Sequence, residues 1–133
     1  MNRTSDVIAI CEKIRNIFDV HGKEFGSLFS DFPNGCCGNI SMLIGLYLEE
    51  HGCGVYNYVC GELENGATHA WLEREELIVD ITLDQFGKEY PPVYVGIDRS
   101  YYEIFTDLEI HAYNTSVNDE DYLYYNKMIN IMA

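Results

Sequence analysis

The segment Thr68-His-Ala-Trp-Leu-Glu-Arg-Glu-Glu-Leu-Ile-Val-Asp-Ile-Thr82 constrains the fold of this chain more than any other. It reads as two strands, 68–73 and 77–82, around a polar turn at Arg74, Glu75 and Glu76. Alternation puts Ala70, Leu72, Leu77, Val79 and Ile81 on one apolar face. His69, Trp71, Glu73, Ile78, Asp80 and Thr82 fall on the other. An even-numbered loop that pairs Leu72 with Leu77 sets His69 opposite Asp80. A slip by one residue would turn one apolar face outward, so the facing is well specified. Directly opposed Cβ atoms lie about 4.5–5.5 Å apart, within hydrogen-bonding reach for an imidazole and a carboxylate. A carboxylate that orients an imidazole is two members of a nucleophile–base–orienter set.

The stretch Asp31-Phe-Pro-Asn-Gly-Cys-Cys-Gly-Asn-Ile-Ser41 offers the third member. A Pro/Gly turn leads into a helical pattern carried by Ile40, Leu43, Ile44, Tyr47 and Leu48, which ends near Gly52. Cys36 and Cys37 therefore stand at a helix N-terminus, where partial positive charge favours thiolate. At about 100° per residue Cys36 falls in the middle of the apolar stripe and Cys37 toward its edge, beside Ser41. The edge position can face a cleft, so Cys37 is the expected nucleophile. Cys11, Cys53 and Cys60 read as small core hydrophobes, and His21, His51 and His111 as structural.

At these residues the chain resembles the papain-like and transglutaminase-like cysteine hydrolase superfamily. Gly35-Cys36-Cys37 opens a helix, a later strand carries His69-Ala-Trp-Leu-Glu73, and the next carries Asp80-Ile-Thr82. The wider pattern Phe32-Pro33-x-Gly35-x-Cys37-Gly38, then Ser41, His69-Ala-Trp-Leu72, Ile78-Val-Asp-Ile-Thr82 and Asp84-Gln-Phe86 is similar to a group of small bacterial proteins that looks like a compact branch of it. The resemblance covers roughly residues 32–86. It implies Cys37 as nucleophile, His69 as base and acid, and Asp80 as orienter. It also favours Cys37 over Cys36, because the residue before Cys-Gly is the looser position. The implied chemistry is that of a cysteine-dependent hydrolase or acyltransferase of peptidase, deamidase or transglutaminase type, acting on a protein or peptide. The superfamily also has inactive members, so a protein-binding or inhibitory module is the alternative. Ser41 stands where the transglutaminase pattern carries Ala. The oxyanion donor is open: the Cys37 N–H is available, and Asn34, Asn39 and Gln85 are unranked side-chain candidates, with Cys36 as a supporting neighbour. Trp71 shares the face of His69 and can shield it from water.

The chain has 133 residues, 47% of them hydrophobic and 14% aromatic, which fits one domain with its own core and excludes disorder. Net charge is −14, from 22 acidic and 8 basic residues, which argues against nucleic acid and anionic membrane surfaces. Five cysteines are an odd number, and no apolar leader stretch precedes Asn2–Asp6, so reduced thiols in the cytoplasm are expected. No Cys-x-x-Cys pair occurs, and neither a metal nor a cofactor is expected. No apolar run reaches the ~18 residues of a membrane span.

Around the site, Val7, Ile10, Cys11, Ile14, Ile17 and Phe18 predict a helix over 6–20. Phe29, Phe32 and Pro33 should hold the Cys turn in place. Residues 55–61 read as a strand joined through Asn65-Gly66 to the His69 strand. Pro91 and Pro92 place a short strand, 93–96, at a sheet edge. Residues 101–105 are ambiguous and 108–113 alternate like a strand. Asn118 can cap a last helix at 119–131 whose inner side is Tyr122, Tyr125, Met128, Ile129 and Met132. Tyr122, Tyr124, Tyr125 and Met128 read as core or as a homodimer face. The expected architecture is α+β: one domain over 1–133, helices packed on an antiparallel meander, with the cysteine at a helix N-terminus.

Overall fold

Apolar periodicity decides the helices of the computed structural model, which describes residues 4–115 and 117–132. Helix α1 (Thr4–His21) buries Val7, Cys11, Ile14, Ile17 and Phe18 along one stripe. Helix α2 (Cys37–Glu50) is apolar around most of its circumference and is the central helix, with every residue from Ile40 to Leu46 buried. Helix α3 (Asp119–Met132) starts at a reciprocal cap. Asn118 Oδ1 accepts from the Asp121 N–H at 3.0 Å, and Asp121 Oδ2 accepts from the Asn118 N–H at 3.1 Å. Its inner side is Asp121, Tyr125 and Met128. Tyr122 faces outward and is 48% exposed, contrary to its expected inner position. The shift arises because the Asn118 cap turns Asp121 toward α2, where its Oδ1 accepts from Asn39 Nδ2 at 3.3 Å.

Five strands form one antiparallel sheet: β1 (Asn57–Glu62), β2 (Thr68–Arg74), β3 (Leu77–Asp80), β4 (Tyr94–Gly96) and β5 (Thr106–Ala112), in the order β4-β3-β2-β1-β5. The fold is therefore α+β. The proline-led strand β4 lies at one edge, as its prolines require. The ambiguous C-terminal stretch resolves into a 3-10 turn at Ser100–Tyr102 and strand β5, which crosses back to pair with β1 at the other edge. Leu108 and Ile110 on β5 are exposed by 45% and 60%.

The β2–β3 hairpin corrects the expected register. Arg74 pairs with Leu77, Glu73 with Ile78 and Leu72 with Val79, around a two-residue turn in which Glu75 has φ 58°. Leu72 therefore lies opposite Val79, two residues beyond Leu77. The left-handed conformation of Glu75 lets a tight turn close where a four-residue loop was expected. A shift of two preserves which face each side chain occupies, so the alternation argument survives. Continuing this register sets Asp80 across from Trp71, two residues along from His69, so the imidazole and carboxylate meet on the diagonal.

Both faces of the sheet are covered. Leu72, Val79 and Ile81 join the helices in the larger core. On the opposite face Val59, Trp71, Ile78, Leu83, Tyr102 and Phe105 make a second, largely aromatic core. The segment 97–105 roofs this face and is tied down where the Arg99 guanidinium donates to both oxygens of Glu73 at 3.0 and 2.9 Å. Gly61 leaves room for the roof and for β5: a Cβ there would stand 2.8 Å from both Phe105 Cβ and Leu108 Cδ2. Among the described residues no helix is long and apolar enough to cross a membrane.

Arg15 locks α1 to the loops around the site. Its Nη1 and Nη2 donate to the two oxygens of Asp84 at 2.7 and 2.9 Å. Nη1 also donates to the Ile81 and Pro92 carbonyls, and the guanidinium lies 4.8 Å from the centre of the Phe32 ring. Phe32 and Phe29 pack in turn on Phe18, holding the cysteine turn as the sequence predicts. Only 11% of the Arg15 side chain is exposed, so its removal strands the Asp84 carboxylate. Arg15→Leu should lower unfolding free energy by about 3 kcal/mol in urea titrations, and a loss below about 1 kcal/mol would show the clamp to be a surface contact.

Candidate functional site

The two adjacent cysteines have different environments because only one is inside the helix. Cys36 is the N-cap of α2 and is 1% exposed. Burial, with Cys37 beside it, pushes its thiol up to about 12. Cys37 is the first helical residue and only partly buried. Burial pushes its thiol up as well, but the hydrogen bond and charge of His69 and the backbone N–H of Ala70 outweigh that, and it titrates below its ordinary value. The order of burial agrees with the expectation, but its cause is the non-helical cap position of Cys36.

The Ala70 N–H is free to face the thiol because β3 is short. In a two-residue hairpin the ladder bonds fall on Arg74–Leu77 and Leu72–Val79, and the next would fall on Ala70. Strand β3 ends at Asp80, so Ala70 has no strand partner on that side. The Cys37 thiol meets both this N–H and His69, although α2 packs with the Leu72 and Val79 face of the sheet.

His69 has no exposed surface and Asp80 is 3% exposed. His69 Nε2 lies 2.6 Å from Asp80 Oδ2. The carboxylate is satisfied on every side: the Tyr102 hydroxyl donates to Oδ2 at 2.9 Å, and the Thr82 N–H and hydroxyl donate to Oδ1 at 2.9 and 3.4 Å. With Oδ2 an acceptor, the ring proton sits on Nε2 in the neutral form and Nδ1 is left toward the thiol. Burial works against the imidazolium, yet the Asp80 charge and hydrogen bond, with Cys37 adding to them, push His69 up to about 9. Burial and the Asp80 charge keep the Tyr102 phenol protonated.

Aromatic rings wall the pair. Trp71, Phe86 and Phe105 stand 5.6, 5.1 and 5.5 Å from the His69 ring. Trp71 packs on Tyr102 and Phe105 of the roof, not on a helix, and its indole N–H donates to Glu73 at 2.7 Å. Trp71 thus lies against the imidazole from the roof side of the sheet.

Of the polar candidates, Gln85 is at the site: its Nε2 lies 3.0 Å from His69 Nδ1 and donates to the Thr82 carbonyl at 3.1 Å. Asn34 is exposed in the turn before Cys36, and Asn39 is directed to Asp121. Tyr102 was not predicted, because it arrives on a segment whose pairing is non-local. Thr82 carried a signal, since Asx-type bonds to a residue two places on are local. Among the described residues no group of three His, Cys, Asp or Glu side chains is arranged to hold a metal ion. Chemically, the assembly can deprotonate a thiol and return the proton to a leaving group.

Comparisons with family models, with curated proteins and with solved structures find no match to this chain.

A folded-state His69 value raised above the unfolded ~6.5 means its stabilisation is complete below that value and is lost as pH rises through about 9. Stability of a Cys37→Ala protein, measured by denaturant unfolding, should therefore fall as pH rises above about 6.5, over a window that ends short of the intact protein's because Cys37 no longer adds to the shift. In the same background Asp80→Asn should cost about 2 kcal/mol at pH 6.5 and flatten that slope; an equal slope in both would show that the pair is not the source.

Proposed function

We propose that this chain is a cysteine-dependent acyl-transfer enzyme of the papain-like and transglutaminase-like kind, acting on an amide or related carbonyl of a protein or peptide. The single observation that carries the reading is the convergence of a thiol at a helix N-terminus with a buried imidazole and its carboxylate. The chain order of cysteine helix, histidine strand and aspartate strand agrees with the resemblance.

In this reading the Cys37 thiol gives its proton to His69 Nδ1 and the sulfur bonds to the carbonyl carbon. The tetrahedral oxyanion is met by the backbone N–H groups at the start of α2. As the carbon–nitrogen bond breaks, His69 returns the proton to the departing amine, leaving a thioester on Cys37. Water then gives a carboxylic acid, or a second amine gives a new amide, and the thiol is regenerated. Asp80 keeps the ring's Nε2 occupied so that Nδ1 does the proton transfer.

Alkylation mapped by mass spectrometry tests the nucleophile. Iodoacetamide near neutral pH should modify Cys37 at least tenfold faster than Cys36, in line with thiolate control of reactivity (roughly a decade per pH unit between the two midpoints). Cys37→Ala should abolish the fast phase, Cys36→Ala should keep it, and His69→Ala should move its pH midpoint upward. Equal labelling of both thiols, or a midpoint indifferent to His69→Ala, would sink the assignment.

A further inference from the structure

One amide at the site does the opposite of what activation requires. Gln85 sits in the 3-10 turn Leu83–Phe86, which the Arg15–Asp84 ion pair holds in place. Its side-chain nitrogen has two near neighbours, the Thr82 carbonyl at 3.1 Å and His69 Nδ1 at 3.0 Å. A carbonyl oxygen only accepts, so the amide cannot be turned with its own oxygen toward Thr82. The two hydrogens of the amide nitrogen are therefore shared between those partners, and Nδ1 must accept. An Nδ1 that accepts carries no proton. The geometry is that of a neutral ring, with its proton on Nε2 toward Asp80.

The same Nδ1 lone pair is the one the Cys37 proton must reach. We propose that Gln85 is a positioning residue that occupies Nδ1, favours the neutral ring against the pull of Asp80 and so restrains formation of the thiolate–imidazolium pair. The proposal rests on Cys37 and His69 being the reacting groups, and it gives their site a built-in brake. Protonation of Nδ1 removes the amide's acceptor and sets two donors against each other, a cost confined to the charged form. The other groups that face the pair act differently. Asp80 from β3, with Tyr102 behind it, favours the imidazolium, whereas Tyr58 and Cys60 from β1, Glu109 beside them and Cys36 offer Cys37 no positive charge. Phe86, Phe105 and Trp71 are apolar walls.

The test measures His69 itself. In a Cys37→Ala background, which removes the thiol, the imidazole nitrogens are titrated by nitrogen-15 NMR in protein with Gln85 intact and in Gln85→Met and Gln85→Ala. Loss of one neutral hydrogen bond to the unprotonated ring should raise the His69 midpoint by about half to one pH unit in both variants. With Cys37 restored, iodoacetamide should then react roughly three- to tenfold faster below the thiol midpoint. Faster labelling on deletion of a polar neighbour is not what a merely structural residue produces. An unchanged or lowered His69 midpoint in the variant that folds overturns the brake, whatever Cys37 does. An inert Cys37 with a raised His69 midpoint instead overturns the enzymatic reading and leaves the Gln85–His69 bond established.

Discussion

The Asp80 carboxylate, taken out of water beside His69, is the constraint from which the rest of the structure is arranged. A buried anion is tolerated only when each of its lone pairs finds a donor. Here the donors come from three directions: the ring of His69 on β2, the Thr82 turn that follows β3, and the Tyr102 hydroxyl on the roof segment. The anion thus adds a polar anchor to an element that the Arg99–Glu73 pair and the aromatic core already hold on the sheet. The aromatic core on that face also keeps bulk water from competing for the same hydrogen bonds.

A second tether works at a distance. Arg15 is on the first helix, yet its guanidinium gathers the Ile81 and Pro92 carbonyls, Asp84 and the face of Phe32. Those contacts hold both approaches to the site, the aromatic turn before Cys37 and the turn that presents Gln85. A single long side chain therefore couples the spacing between thiol and imidazole to the packing of α1. The planar, multi-donor guanidinium suits this role in a way an ammonium would not.

Much of this was legible in the residues, and what was not has a common cause. Alternation over 68–82 was enough to put His69 and Asp80 on one face, since facing depends only on parity. It missed the pairing by two, because turn length is set by whether Glu75 tolerates a left-handed backbone, which hydrophobic pattern does not report. Helical projection put Cys36 on the buried side and Cys37 at the edge, although Cys36 is the N-cap and lies outside the helix whose period was used. Gln85 was visible as a polar residue near the motif, but whether it faced the oxyanion or the ring depends on where the Thr82 carbonyl points. Tyr102 and the β1–β5 pairing were out of reach, since both depend on contacts between residues far apart in the chain. Tyr122 was misplaced because capping by Asn118, not apolar spacing, sets the rotation of α3.

The outer strand β5 carries Leu108 and Ile110 in the open, at an edge of the sheet where edge-to-edge pairing with another extended chain is a general hazard. Asp107 and Glu109 are interleaved with them on the same strand. At neutral pH these carboxylates make edge-to-edge association between copies electrostatically unfavourable, reinforced by a net charge of −14. This charged rim lies on the far side of β1 from the His69 strand, so the device that keeps copies apart is separated from the candidate site by a full strand.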